Sequence, residues 1–128
     1  MKHLLVIAFL ASLPAVAHAG ESAGDPARGE EIYGRCVACH SLTRNRTGPK
    51  HCGLFGRTAG TQEGYRYSQA MRESGIVWTE ETLDAFLENP RAAVPRTKMG
   101  YAGIKKDRDR ADLIAYLKRA NEPGGACF

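Results

Sequence analysis

Cys36-Val37-Ala38-Cys39-His40 constrains this chain more than any other feature of its sequence. A Cys-x-x-Cys-His run is the attachment site of a c-type haem. Two thiols three positions apart, on about one turn of helix, reach the two vinyl groups of a single porphyrin. The residue that follows then aims an imidazole at the iron. Two other chemistries share part of the pattern. A redox dithiol needs only the cysteines, and a tetrahedral zinc site needs a second ligand pair. The sequence has no second Cys-x-x-Cys and no His-x-x-x-His to complete a zinc shell. Covalent attachment of one haem is the reading the motif favours.

The first nineteen residues read as an address. Lys2 gives a positive start, residues 4–13 (LLVIAFLASL) give an apolar core, and Ala17-His18-Ala19 gives a small-x-small cleavage site. That order is the pattern of a secretory signal peptide. Pro14 breaks the apolar run, which is too short to span a bilayer. Residues 20–128 then form one domain, with no internal repeat and no long linker. No further long apolar run follows, so a soluble monomer with peripheral or no membrane contact is expected. Export would deliver the chain to the periplasm, where bacterial haem attachment takes place. The formal charge of +4 falls by one when Lys2 leaves. A mildly basic domain suits acidic protein partners, and nucleic-acid binding calls for a denser basic patch. A domain this short has a small apolar core, of which a buried haem would be the largest piece.

The pattern of breakers and caps predicts an all-α chain with long loops, in three to five helices. Asp25-Pro26 opens the first helix as N-cap and first helical residue, and Cys36 follows near its end. Residues 41–61 carry too many glycines and prolines for a long regular element. Ser68 caps a short helix over 69–74, stopped by Gly75. Thr79 caps another, with Leu83, Phe86 and Leu87 as its apolar stripe, and Asn89-Pro90 ends it. The last helix begins near Asp107 or Asp109 and ends around Ala120. No stretch alternates convincingly enough for a strand.

His40 supplies one axial ligand to the iron, and the residues leave several candidates for the other. Past the signal peptide these are His51, Met71, Met99, a lysine or an open site. Met71 reads as core filler. His51 follows a tight Gly48-Pro49 turn, which places it on the His40 side of the haem or on the surface. Met99 lies in Pro95-Arg96-Thr97-Lys98-Met99-Gly100, a loop free to turn a flexible thioether inward, and is favoured.

Several motifs in order carry a family resemblance over residues 24 to about 122. They are Cys36-Val37-Ala38-Cys39-His40, Thr47-Gly48-Pro49, Gly53-Leu54-Phe55-Gly56-Arg57 and Gly75-Ile76-Val77-Trp78. They continue through Leu87-Glu88-Asn89-Pro90, Pro95-Arg96-Thr97-Lys98-Met99, Ala102-Gly103-Ile104-Lys105-Lys106 and Asp112-Leu113-Ile114-Ala115-Tyr116-Leu117-Lys118. In this the chain resembles class I cytochromes c, in the mitochondrial-like branch that includes bacterial periplasmic proteins. The resemblance implies Met99 as the second ligand and the Pro49 carbonyl as partner of His40. It places Arg57, Tyr67 and Trp78 at the haem propionates and Thr97 near one of them. Met71 and Phe86 depart from the family by replacing polar groups beside the distal ligand. His51 and Cys52 replace a leucine–histidine type pair. In the family fold the Cys52 position lies close to the end of the last helix. Cys127, in an added tail, is therefore expected to bond to it in an oxidising compartment.

The function implied is a soluble periplasmic electron carrier, cycling Fe(II)/Fe(III) with no open site for substrate. Arg35, Arg46, Arg91, Lys98, Lys105 and Lys106 match or lie near positions that ring the exposed haem edge. A respiratory complex, a reaction centre or a periplasmic dehydrogenase would all suit as acidic partner. The rival is a haem peroxidase or haem-based sensor with a displaceable distal ligand. No distal His-Arg pair or signalling segment accompanies the haem motif.

Overall fold

Asp25 caps the first helix, its carboxylate accepting from the N–H groups of Ala27 and Arg28. Pro26 follows at the position where a missing N–H costs nothing, and α1 spans Pro26–Tyr33. These contacts come from a computed structural model, which describes residues 23–128. The signal peptide expected over residues 1–19 lies outside the described residues. Beyond Tyr33 the chain tightens into turns. Cys36 N donates to Tyr33 O at 2.8 Å and His40 N donates to Cys36 O at 2.8 Å. The five residues of the haem motif thus occupy one compact turn at the end of α1.

A short helix α2, Gln69–Arg72, is capped by Ser68. It stops two residues before the sequence reading placed its end, at Ser74. The Ser74 hydroxyl donates back to the Met71 carbonyl at 2.9 Å, which closes the last turn. Helix α3, Glu80–Glu88, opens with a reciprocal pair in which the Thr79 and Thr82 side chains each accept from the other's N–H. It buries Leu83, Phe86 and Leu87, the expected stripe. Asn89-Pro90 ends α3 and also opens α4, Pro90–Ala93, which the sequence reading did not contain. The Asn89 side chain accepts from Ala92 N, and Pro90 takes the first helical position. The last helix, α5, spans Asp107–Ala120. Among the described residues, extended pairing is limited to one antiparallel bridge between Thr58 and Val77. The fold is all-α with long loops, as expected.

Helices α1 and α5 cross at Gly29, where a Cβ would stand 2.0 Å from the Asp112 carbonyl oxygen. Only glycine allows so close an approach. The fully buried Asp112 carboxylate joins the same two helices. It accepts from Asp25 N at 2.6 Å and pairs with Arg28 at 2.9 Å and Arg108 at 3.2 Å. Arg110, also buried, ties α5 to Asp84 of α3 at 2.7 Å. Both charges are paired, as burial requires.

Two further ties shape the loops. Gly56 N donates to Trp78 O and Trp78 N donates to Arg57 O, at 2.9 and 3.0 Å, which brings Arg57 beside Trp78. At the other end the tail folds back over residues 51–53. Asn121 accepts from Gly53 N at 2.7 Å and donates to His51 O at 3.2 Å. The Cys52 and Cys127 sulfurs lie 2.00 Å apart across this junction.

Candidate functional site

The helices do not close on one another. A cavity of about 580 Å³ opens between α1, α3, α5 and the loop carrying Met99. Leu54, Leu83, Phe86 and Leu113 give it apolar walls. That is the size and lining of a cofactor site.

His40 is fixed by the turn that follows it. Its Nδ1 lies 2.8 Å from the Pro49 carbonyl. Nδ1–H therefore donates to that oxygen, and Nε2 keeps its lone pair for a metal. Burial holds the imidazole below its ordinary pKa, and the Pro49 bond opposes this in part. The neutral ring is the form that ligates. Gly48 packs so closely that a Cβ there would come within 2.4 Å of His40 Cε1. Cys36 and Cys39 are free thiols on the wall of the same cavity. Burial pushes the Cys36 thiol up.

Arg57 holds the opposite chemistry, a cation in an apolar wall. Its Nη1 donates to Cys52 O at 3.3 Å and to the Gln62 side chain, and Nη2 donates to Lys50 O at 3.2 Å. Its buried Nε has no partner among the described residues. Burial lowers its pKa, yet an arginine stays charged. An unpaired guanidinium N–H of this kind calls for an anion from the cavity's occupant. Tyr67, Trp78 and Thr97 also line the cavity. Thr97 Oγ1 accepts from Met99 N at 3.2 Å, which shapes the loop that brings Met99 to the wall.

Of the candidates for a second ligand, Met99, Met71, His51 and Lys98 all border the cavity. Met71 is buried on α2, and Lys98 Nζ reaches the Arg66 carbonyl at 3.4 Å. His51 lies on the His40 side and is half-buried. Its ring stacks on that of His40 with centroids 4.4 Å apart and planes 21° from parallel. Its Nδ1 is 3.0 Å from the Tyr33 hydroxyl. Burial, then the charges of His40 and Arg57, push its pKa down to about 3. Sequence reasoning missed this stack, and Tyr33 with it. Their one signal was spacing: His51 stands two residues past Pro49, and Tyr33 three residues before Cys36. Tyr65 was also missed. Its hydroxyl donates to Thr47 O at 2.6 Å and its ring meets Tyr67 edge-on at 4.7 Å.

A haem of the c type fits these residues. The cavity offers thiols for thioether bonds, an imidazole with its lone pair free, apolar walls for the ring and the unpartnered Nε–H of the Arg57 guanidinium for a propionate.

The relatives of the chain point the same way. A family model described as Cytochrome c matches residues 26–121. Cytochrome c2 of Blastochloris viridis is 45% identical over 106 residues, spanning 80% of this chain and 84% of that protein. Cytochrome c of Euglena viridis is 50% identical over 98 residues, 74% of this chain and 96% of that protein. Among solved structures, cytochrome cH from Methylobacterium extorquens superposes with a TM-score of 0.72 at 41% identity, covering 74% of this chain and 98% of its own.

Proposed function

Because the chain belongs to the cytochrome c family, we propose that it is a periplasmic shuttle passing single electrons between acidic redox partners. It is an electron carrier and not an enzyme, and its cofactor is one covalently attached haem c. The observation that carries the reading is the convergence of Cys36, Cys39, His40 and Met99 on one cavity. Bound haem supplies the Fe(II)/Fe(III) couple. Cys36 and Cys39 would hold it through thioether bonds, and His40 and Met99 would ligate its iron. The Pro49 carbonyl sets the tautomer of His40. Arg57 would offset the charge of a propionate, Tyr67 and Trp78 would donate hydrogen bonds to it, and Thr97 holds the Met99 loop. Residues 1–19 act as the export signal, and among the described residues no helix is long and apolar enough to cross a membrane.

Arg35 and Lys98 border the cavity and are exposed. Placed there, they draw an acidic face toward the haem edge. Lys98→Glu should slow electron transfer with an acidic partner by up to about 10-fold at low salt. The difference should fade as ionic strength rises, and the reduction potential should hardly move. Stopped-flow rates across a salt series check this. Equal rates at low and high salt would remove electrostatic docking from the mechanism.

Cys52 and Cys127 form a structural staple with no part in the redox chemistry. Their Cα atoms are 5.4 Å apart, within disulfide range, and the bond would close a loop over a sequence separation of 75. In the chain-entropy picture such a closure contributes about 4 kcal/mol. Cys127→Ala should lower the urea midpoint accordingly and leave the visible spectrum unchanged. Two reactive thiols in the unfolded holoprotein would rule the bond out, and a covalent dimer on a non-reducing gel would mean pairing between chains.

A further inference from the structure

We propose that His51 is a positioning residue for the haem ligand, a flat buttress that sets the angle of the His40 ring about its bond to the iron. This rests on the reading that His40 is an axial ligand. The Pro49 carbonyl engages His40 at one atom, Nδ1, at 2.8 Å. One hydrogen bond fixes the tautomer and the direction of Nε2, but resists rotation about that direction only weakly. The stacked ring of His51, 4.4 Å away and 21° from parallel, supplies a plane against which His40 must lie. Two rings in offset contact resist rotation because turning either one opens a gap or drives edge atoms into the other's face.

A buttress must itself be held, and His51 is held at three points. Its Nδ1 shares a hydrogen bond with the Tyr33 hydroxyl at 3.0 Å. Its backbone N donates to Ser41 O at 3.1 Å, and its carbonyl accepts from Asn121 at 3.2 Å. Tyr33 is buried in turn and leans on Tyr116 of α5, ring centroids 5.2 Å apart. The angle of the His40 ring is thus referred through His51 and Tyr33 to the close α1–α5 crossing at Gly29. A leucine at position 51 would fill similar space without presenting a plane or a partner for Tyr33.

The angle matters because the π orbital of an axial imidazole mixes with the iron orbital lying in the same plane. The ring's orientation therefore decides how unpaired spin in the oxidised form spreads over the porphyrin. Groups behind a metal ligand tune the site in this manner.

A simpler role for His51 would be to satisfy the buried Tyr33 hydroxyl. That accounts for the hydrogen bond and leaves the stack without a purpose. The two roles part in the double variant Tyr33→Phe, His51→Leu, which removes both polar partners together. The experiment compares proton NMR of the oxidised holoproteins: wild type, Tyr33→Phe, His51→Leu and the double variant. Positioning predicts that the paramagnetically shifted haem-methyl resonances change their order or spread in both variants lacking His51. They should change less, in the same direction, in Tyr33→Phe. The red band reporting sulfur ligation should persist in all four. Wild-type methyl shifts in His51→Leu, or their return in the double variant, would overturn the proposal. Absence of covalently bound haem from the wild-type protein would instead overturn the haem-ligand reading beneath it.

Discussion

Replacing Cys36 and Cys39 together by alanine should leave no stable holoprotein, and the chain without haem should be largely unfolded. The cavity explains why the loss is so large. Its walls are core residues: Leu54, Leu83, Phe86, Leu113 and Leu117 face it and are otherwise buried. A dry void costs about 24 cal/mol per Å³. For a cavity of about 580 Å³ that comes to roughly 14 kcal/mol, an upper figure because one edge meets water. It equals the upper range of a whole domain's stability, about 5–15 kcal/mol. The unpartnered Nε–H of Arg57 would add to the cost. Each single alanine variant keeps one anchor and should be less impaired. Far-ultraviolet circular dichroism and the mass of the purified chain check the outcome. In the wild type, acid–acetone should leave the haem on the polypeptide, and release of free haem would defeat the assignment.

What could be read from the sequence was what is decided locally. Asp25-Pro26, Ser68 and Thr79 each announce a helix because a cap satisfies backbone groups only a few residues away. The Cys36–His40 turn is legible for the same reason. Helix α4 was not, because Asn89-Pro90 reads equally as a stop, and only the fold shows that it serves both uses. The stack of His51 on His40 depends on the path of residues 41–50, and the tail that meets residues 51–53 comes from far along the chain. The stack leaves only the spacing of His51 from Pro49, and the meeting of the tail with Cys52 is expected from the family resemblance alone. Arg96 is a third case. It adopts φ 68° in the loop before Met99, a conformation that arginine does not advertise. Met71 and Met99 both reach the cavity wall, so wall position does not separate them.

Met99→Ala should separate them. The Met99 side chain stands on a loop whose geometry is set from both sides. Thr97 N donates to the carbonyl of buried Val94 at 3.0 Å, and Thr97 Oγ1 accepts from Met99 N at 3.2 Å. Arg96 between them holds the left-handed conformation that reverses the chain. Met71 has no such freedom. It sits at 7% exposure on a helix of one turn, where the backbone dictates its direction toward the core. Removing the Met99 thioether should abolish the red sulfur band and let imidazole or cyanide bind quickly to the oxidised protein. The reduction potential should fall on the order of 0.1 V, a modest share of the roughly 0.8 V that axial ligands span. A thioether favours the reduced iron, so the direction is downward. Met71→Leu keeps volume and hydrophobicity, and should preserve both band and potential. If Met71→Leu loses the band and Met99→Ala keeps it, Met71 is the ligand. The Met99 loop would then be a cover over the haem edge and not its sixth bond.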